Sequence, residues 1–336
     1  MKHIGFFAAW VCALAVCACS YFSGSADAAR MILGVSEPPM FLSAKAVSEN
    51  EVRFEFSKPV TIASLNFSPQ VEAELIESGN TVRVNFAGGD LGPGAKVTAD
   101  LLARDADGNT VNVLVPFRTR NERIPPLRIT ELRTEYSKPR AEFVELRTFA
   151  PGNLGALRVF IAGNAKSPLV YEFPPVEVRA MEYITLHLRK LDETSKDELG
   201  SNLAESPGAD SSATARDLWI DGTAKLLRKT DIVYILDQDD NVVDAVVLSE
   251  NAEPVWRQSH FEDAADFLFR SGAWKSADGT GIRPTDAVRT SGTTATRTIN
   301  RNEAAAENSR SPSDWYITVT GGATPGKPNN PKRHGE

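Results

Sequence analysis

Cysteine is scarce in this sequence and is confined to its beginning. The chain has 336 residues and three cysteines, Cys12, Cys17 and Cys19. If the chain is processed at the last of them, the mature protein has no disulfide and depends on its hydrophobic core for stability. Zinc would need further cysteines or paired histidines at ligand spacing. Neither occurs, so we expect no zinc site.

Histidine is also rare, which restricts the nucleophilic chemistry open to the chain. His334 lies near the end of the sequence, so a Ser-His-Asp triad would have to use His187 or His260. His187 alternates with two leucines, and we expect it on the surface of a sheet. Ser259 precedes His260, but no G-x-S-x-G motif surrounds this serine, so we expect His260 to pack in a loop or at a helix start. The chain is therefore predicted not to be an enzyme.

Phosphate-binding loops are absent, and the charge balance is acidic. No glycine-rich loop is followed by a Lys-Ser/Thr pair, so no nucleotide cofactor is expected. The formal net charge of −7 argues against a nucleic-acid partner. Two Asp/Asn-rich runs, 105–109 and 237–241, offer oxygens to calcium but lack the EF-hand pattern. Hairpin turns use the same residues, so we predict turns rather than metal sites.

No hydrophobic run is long enough to cross a membrane, but a shorter one opens the chain. Lys2 is followed by an uncharged stretch, 4–18, whereas a transmembrane helix needs about 20 apolar residues. A basic start and a short apolar stretch that ends in small residues are typical of a secretory signal peptide. Ala18 followed by Cys19 resembles the lipobox of a bacterial lipoprotein signal, in which the cysteine is acylated. Ser20, in place of Asp, implies by the same resemblance an outer-membrane rather than an inner-membrane location.

We therefore predict a signal peptide over 1–18, lipidation at Cys19 and a polar tether over 19–38. Two alternatives stay open. Ordinary signal peptidase could cleave after Ala28, and Cys17 could be the acylated residue, although a valine precedes it. In the favoured case the membrane is a partner of the protein through the lipid on Cys19.

The first domain is predicted over 39–121. Period-two alternation and β-branched residues predict strands with one buried face, in the runs 52–56, 81–86, 96–101 and 111–115. The phrase over 50–60, which ends in Ser-Lys-Pro-Val, and the later turn at 105–109 are similar to the bacterial Ig-like modules of cell-surface and S-layer proteins. This resemblance implies a small β-sandwich that serves as a spacer or an adhesive unit.

A second domain is predicted beyond Pro125-Pro126, because two prolines interrupt both helices and strand ladders. Alternating apolar runs recur and predict a second sandwich, at 127–132, 141–146, 158–161, 183–188, 232–236 and 242–247.

Several phrases of this second domain resemble, in the right order, the lamin-tail domain, an Ig-like fold. They are I-x-E at 129–131, E-F-V-E-L at 142–146, V-V-D-x-V at 242–246, a phrase ending in Arg301 or Arg297, S-x-x-D-W at 311–315 and T-P-G-x-x-N at 324–329. We interpret Arg301, Asp314 and Trp315 as structural. The predicted fold class is all-β, with two Ig-like β-sandwich domains in tandem after a lipoprotein signal peptide. The lamin-tail-like domain would cover 126–330 and a tail 331–336.

Two segments of the second domain are the candidates for binding. The polar insertion 190–217 is too hydrophilic to bury itself, so we expect a mobile loop, with a helix over 193–199 as the alternative. Trp256 and Trp274 lie in the segment 249–276, beside basic residues, and are the least strand-like tryptophans. They are therefore the candidates for an exposed platform that binds a glycan or a peptide, although a core position is the better expectation for each tryptophan taken singly.

The sequence therefore favours a lipid-anchored, non-enzymatic protein of the cell envelope with a protein or glycan partner. An envelope hydrolase is the alternative, because lamin-tail domains occur beside nucleases and other hydrolases in bacterial chains. A deep pocket around His260 with converging carboxylates would support that alternative. Nucleic-acid binding is opposed by the acidic charge.

Overall fold

The computed structural model describes residues 37–87, 91–305 and 308–336. The predicted signal peptide and Cys19 lie outside these residues, as does all but the end of the tether. Within them, no helix is long and apolar enough to span a bilayer. The all-β prediction is confirmed, because this part of the chain forms nineteen strands, one α-helix and two short 3-10 turns.

The chain divides into two compact units. Unit 1 contains 37–45, Glu51–Ala87 and Val97–Phe117, and unit 2 contains Ala46–Asn50, 91–96 and Arg118–Glu336.

Unit 1 contains one long strand that pairs with two different strands along its length. Its strands are β1 (Phe41–Ala46), β2 (Glu51–Ser68), β3 (Ala73–Glu77), β4 (Gly79–Phe86), β5 (Lys96–Arg104) and β6 (Thr110–Arg118). The first part of β2 pairs with β4 and its second part pairs with β5. The strand order is therefore β3-β4-β2-β5-β6, with β1 beside β2.

The burial pattern of unit 1 confirms the alternation predicted for its strands. Val52, Phe54 and Phe56 of β2 are buried, and the residues between them are not. Phe67, near the end of β2, packs edge-on against Phe86 of β4 with 5.0 Å between ring centroids. A one-residue slip in register would turn this apolar face to solvent, so the alternation specifies the pairing.

Unit 2 contains the remaining strands and the α-helix. They are β7 (Leu127–Arg133), β8 (Phe143–Thr148), β9 (Gly152–Asn153), β10 (Arg158–Ile161), β11 (Leu169–Glu172), β12 (Glu177–Val178), β13 (Tyr183–His187), β14 (Ala215–Trp219), β15 (Asp231–Leu236), β16 (Val242–Ser249), α1 (Ser259–Arg270), β17 (Val288–Arg289), β18 (Ile299–Arg301) and β19 (Trp315–Ile317).

Two sheets form the body of unit 2. One has the order β14-β13-β8-β7-β18-β19 and the other the order β11-β10-β15-β16-β17, while β9 and β12 form a separate short ladder. All the strand runs predicted for this region are found as strands. Apolar residues of both sheets and of α1 belong to one buried cluster, to which Trp256, Trp274 and Trp315 contribute. Unit 2 is thus a sandwich with a helix on its core.

A buried ion pair connects the two sheets of unit 2. Arg301 at the end of β18 donates from Nη2 to Asp244 on β16 at 2.6 Å, and both side chains are almost fully buried. The same guanidinium donates from Nε to the carbonyl of Ile129 on β7 at 2.6 Å and lies 4.5 Å from the Trp315 ring centroid. Of the two arginines that fit the predicted phrase, Arg301 is therefore the structural one. Arg297 instead contacts His334 in the tail.

Three acidic side chains hold the loop 324–329, which follows β19. Glu131 on β7 and Glu145 on β8 are register partners, and both are fully buried. The backbone N–H of Thr324 donates to Glu131 at 3.1 Å, and that of Gly326 donates to Glu145 at 2.5 Å. A Cβ on Gly326 would lie 2.6 Å from the Cβ of Ser212 and the backbone φ is +76°, so only glycine fits there.

Glu303 completes this arrangement from the other side of the loop. Its carboxylate accepts from the N–H of Asn329 at 2.7 Å, and also from Arg147 at 2.7 Å and the hydroxyl of Tyr183 at 2.9 Å. The T-P-G-x-x-N phrase is thus anchored at its first, third and last residues. We call this arrangement the carboxylate latch, with Glu131, Glu145 and Glu303 as its acids.

Burial changes the acidity of the latch. It raises the pKa of Glu131 to about 7, and burial together with the charge of Glu131 raises the pKa of Glu145 well above its usual value. Two like charges on register partners cannot both ionise easily in a dry interior, so the pair retains a proton near neutral pH.

The segment 190–217 forms no helix or strand before β14, as expected of a loop, but several of its polar side chains are buried. Its last residues begin β14, which pairs in parallel with β13, and residues 193–199 form no helix. Glu198 is fully buried and accepts the N–H of Asp217 at 2.8 Å, while Asp210 pairs with Arg133. These carboxylates have N–H and guanidinium partners, which allows part of a hydrophilic segment to be buried.

Removal of the ion pair between the sheets should strongly destabilise unit 2. Arg301→Ala leaves Asp244 buried without its cation, and the expected loss is about 3–5 kcal/mol in the free energy of unfolding, measured by urea denaturation. Arg270→Ala is the control, because it removes an exposed pair with Asp266 on α1 and should cost less than about 1 kcal/mol. Equal effects of the two substitutions would show that the buried pair does not connect the sheets.

The raised pKa values predict that unit 2 loses stability as the pH rises. The folded state binds a proton on Glu131 up to pH about 7, whereas the unfolded chain releases it near pH 4.5, so the loss occurs between these values and reaches about 3 kcal/mol at most. Glu131→Gln should flatten this dependence in urea denaturation at pH 5–8. Glu193→Gln, at an exposed position, should leave it unchanged. Parallel pH profiles for wild type and Glu131→Gln would refute the shift.

Candidate functional site

A groove of about 790 Å³ lies on unit 2. One wall is the segment 225–230, which leads into β15, and the other is the segment 249–261, which runs from the end of β16 into α1. Glu135, Gly163 and Pro284 complete the lining. Pockets of this size are typical of small-molecule or peptide sites. We call it the 225–261 groove.

The floor of the groove is apolar. Trp256 packs against Phe261 with 5.6 Å between ring centroids, and its indole N–H donates to the carbonyl of Ile282 at 2.8 Å. Val255 also lines the groove, and 61% of its surface is exposed. The hydrogen bond fixes the indole, so the floor is preformed rather than adaptable.

Charged side chains surround this floor. Lys225 contacts Glu135 at 3.3 Å, and Lys229 contacts Glu250 at 3.4 Å. Arg257 contacts Glu253, four residues earlier in the chain, at 2.6 Å. All these pairs are at least partly exposed, and such pairs contribute only about 0–1 kcal/mol each. A charged partner could therefore replace one member of a pair at little cost.

Arg228 differs from the other cations of the groove. Its guanidinium donates to the carbonyl of Gly163 at 3.2 Å, and it forms no ion pair with any residue that the structure describes. The backbone N–H groups of Arg228 and Gly163 both donate to Asp231, at 3.2 and 2.7 Å. Burial raises the pKa of Asp231 to about 7. A Cβ on Gly163 would lie 2.5 Å from this carboxylate, so glycine is required for the contact.

His260 lies at the start of α1, as predicted, and lines the groove. Its ring contacts Phe261 with 4.4 Å between centroids. Nε2 is buried and has no hydrogen-bond partner within the described part of the chain. No acidic side chain there forms an ion pair with the ring, and the glutamates of the groove contact Lys225, Lys229 and Arg257 instead.

Trp256 and Trp274 are both buried, so the structure does not show the exposed platform for which they were the candidates. Trp256 is 7% exposed and Trp274 is 1% exposed. Trp274 donates to the carbonyl of Asp286 at 2.9 Å within the core. The structure therefore brings Trp256 and His260 to the groove but leaves Trp274 away from it.

His187 is also buried, which corrects its predicted place on a sheet surface. It is fully buried on β13, and its ring stacks on Trp219 of β14 at 3.8 Å. Its Nε2 lies 2.7 Å from the carboxylate of Asp217. The ring of Trp219, the register partner of His187 on β14, covers the side chain that we expected to be open to solvent.

The two Asp/Asn-rich runs are hairpin turns, as predicted. The carboxylate of Asp105 accepts the N–H of Asn109 at 2.9 Å, and that of Asp237 accepts the N–H of Asn241 at 2.9 Å. These side chains satisfy the turn backbone. Across 37–87, 91–305 and 308–336, no group of three His, Cys, Asp or Glu side chains is arranged to hold a metal ion.

The basic wall of the groove was missed at the sequence level. Its signal is the run Lys225-Leu-Leu-Arg228-Lys229, which places three cations immediately before a strand. In a chain of net charge −7 such a cluster is an indication of a local electropositive site.

Comparisons with known proteins find relatives of unit 2. The model of a family named TP_1001_2nd, described as a protein second domain, matches residues 125–317, which include all residues that line the groove. An uncharacterized protein of Treponema pallidum (strain Nichols) is 29% identical over 182 residues, which are 52% of this chain and 46% of that protein. The chain thus spans about half the length of this curated relative.

Among solved structures, a DUF4876 family protein from Bacteroides thetaiotaomicron is similar to this chain. The sequences are 13% identical and the TM-score is 0.29, over 81% of this chain and 88% of that chain.

Proposed function

The chain belongs to the TP_1001_2nd family, and we propose that it is a lipid-anchored, non-enzymatic protein of the cell envelope. In this proposal Cys19 carries the anchor, the outer membrane is the favoured location, and the 225–261 groove binds a protein or glycan partner.

The support for the anchor is the order of residues at the start of the chain. Lys2, the uncharged stretch 4–18 and the Ala18-Cys19 pair follow one another as in lipoprotein signals. One acyl chain gives only marginal membrane binding, but a diacylglycerol together with an amide-linked chain would hold the protein durably. The residues 19–38 would then separate the membrane from the first folded unit.

The observation that carries the binding proposal is the groove itself. An apolar floor with a few placed polar groups is the usual composition of a ligand site. Here Trp256 and Phe261 form the floor, and the guanidinium of Arg228 forms no direct ion pair among the described residues, although its charge acts on the nearby carboxyl of Asp231. These features favour a partner that presents both apolar and charged groups, as a peptide or a glycan does.

We favour binding over hydrolysis because of the environment of His260. A catalytic histidine needs a nucleophile within hydrogen-bond reach and a third group that orients the ring. The carboxylates of the groove do not converge on His260, since each contacts a lysine or an arginine. This arrangement fits a charged rim around a binding site.

The anchor is tested at Cys19. Wild-type protein should label with palmitate, fractionate with membranes and have a mature N-terminus at a modified Cys19 by mass spectrometry. Cys19→Ser should abolish the label and release the protein from membranes, whereas Cys17→Ser, the matched control, should retain both properties. An unmodified N-terminus at Ala29 would refute the anchor.

The binding role is tested with a panel of peptidoglycan fragments, glycans and matrix proteins, by biolayer interferometry on the full chain. One class should bind saturably, and the triple variant Lys225→Gln, Arg228→Gln, Lys229→Gln should weaken binding at least about tenfold, as expected from the loss of charge-assisted contacts. The control Lys196→Gln, Lys275→Gln changes exposed lysines outside the groove and should bind normally. Hydrolysis of a panel member that His260→Ala abolishes would instead establish the enzyme alternative.

A further inference from the structure

We propose that a second cleft of unit 2 binds a ligand through an oxyanion, either a carboxylate or a phosphate. The cleft measures about 350 Å³ and lies near the ends of β7 and β19. Its walls come from Arg133, Arg140, the segment 209–212 and the region 321–327. This volume is at the small end of the range for ligand pockets, which suits a sugar or a short peptide end.

A buried arginine forms the base of the cleft. Arg133 is 1% exposed, and its two terminal nitrogens donate to Asp210. Its guanidinium also lies 4.7 Å from the centroid of the Phe143 ring. The third nitrogen, Nε, is buried and has no partner among the described residues. An unmet buried donor costs about 1–3 kcal/mol, so a ligand acceptor at this place would recover that energy.

A buried hydroxyl in the same cleft is also without a partner. The Oγ of Ser211 lines the cleft, is inaccessible to solvent and makes no hydrogen bond to any described residue. A serine hydroxyl can donate to an oxyanion. Ser211 and Arg133 therefore place two donor groups without acceptors at one cleft. The two residues are far apart in the sequence, and the ion pair between Arg133 and Asp210, the neighbour of Ser211, brings them together.

Two exposed cations flank these donors. Arg140 and Lys327 line the cleft, and neither side chain makes an ion pair or a hydrogen bond within the described part of the chain. Asp210 is the single acid among the lining residues, and Arg133 neutralises it. The cleft is therefore electropositive in a chain of net charge −7, which selects an anionic group.

The carboxylate latch keeps one wall of the cleft in place. Thr324 lines the cleft, and Glu131 holds both its backbone N–H and its hydroxyl, at 3.1 and 3.2 Å. Gly326 is wedged against Ser212 of the opposite wall. A site whose walls are fixed before binding loses little entropy when a ligand enters. The preformed wall thus favours recognition of a small anion.

This site is separate from the groove and needs no lipid anchor, so its test is independent of the proposed function. The full chain in a nonionic detergent is titrated with inorganic phosphate, sulfate and acetate at constant ionic strength, and binding is followed by NMR chemical shifts or calorimetry. Saturable binding is expected for at least one of these anions. A preference for acetate identifies a carboxylate ligand and a preference for phosphate identifies a phosphoryl ligand, and either result supports the site.

Variants locate the binding. The double variant Arg140→Gln, Lys327→Gln should weaken it at least about tenfold, as expected for two lost charge-assisted contacts. Ser211→Ala should also weaken it, and thermal melts should show that both variants are folded. The control Lys196→Gln, Lys275→Gln removes the same charge from exposed positions elsewhere and should leave the affinity unchanged.

Three results would overturn the proposal. The first is the absence of saturable binding for all three anions at millimolar concentration. The second is an equal loss in the cleft variant and in the control, which would indicate general charge attraction. The third is loss of binding in the triple variant of the 225–261 groove with retention in the cleft variant, which would place the anion in the groove.

Discussion

The contact on which unit 2 depends is the buried pair between Arg301 and Asp244. Asp244 belongs to one sheet, and it accepts both from Arg301 and from the N–H of Ile129, which belong to the other sheet. An apolar sandwich core leaves the relative position of its two sheets loosely determined, because hydrophobic contact is not directional. A charged pair with fixed hydrogen bonds is directional. The pair therefore fixes the position of one sheet relative to the other. That position determines where the loops of both sheets, and the sites on them, lie.

Buried acidic side chains also fix the position of the loop 324–329, through the carboxylate latch. Glu131 and Glu145 occupy inner strands where apolar residues would be more stable, and desolvation raises the pKa of both. The N–H groups of Thr324 and Gly326 donate to these carboxylates and hold the loop that follows β19. Buried polar groups of this kind specify one conformation of the loop more than they add to the free energy of unfolding. The loop that the latch holds forms one wall of the second cleft, which Arg133 also lines.

Period-two alternation predicted many of the strands, because one buried face is a local property of the chain, but it did not predict β3, β11 or β14. Val52, Phe54 and Phe56 illustrate this, and the fold class followed from such runs. Alternation does not show which strands are covered on both faces. His187 was placed on a surface because the ring that covers it belongs to Trp219, and alternation does not show that this residue lies on the neighbouring strand β14. Trp256 was a candidate for exposure because it lies outside the predicted strands beside basic residues, and the sequence does not show that its indole bonds to the distant carbonyl of Ile282.

Polar groups that lack partners are the better guide to function in this protein. Unit 2 buries many charged side chains, and its ion pairs and N–H contacts satisfy most of them. The buried nitrogen and oxygen atoms without a partner among the described residues fall into two groups. Those of His260, Arg133 and Ser211 belong to residues that line a groove or a cleft, whereas those of Arg147, Thr185, His187, Arg289, Arg297, Asn300 and Trp315 do not. A ligand could satisfy an atom of the first group. The 225–261 groove and the cleft at Arg133 share this property, although different residues form them.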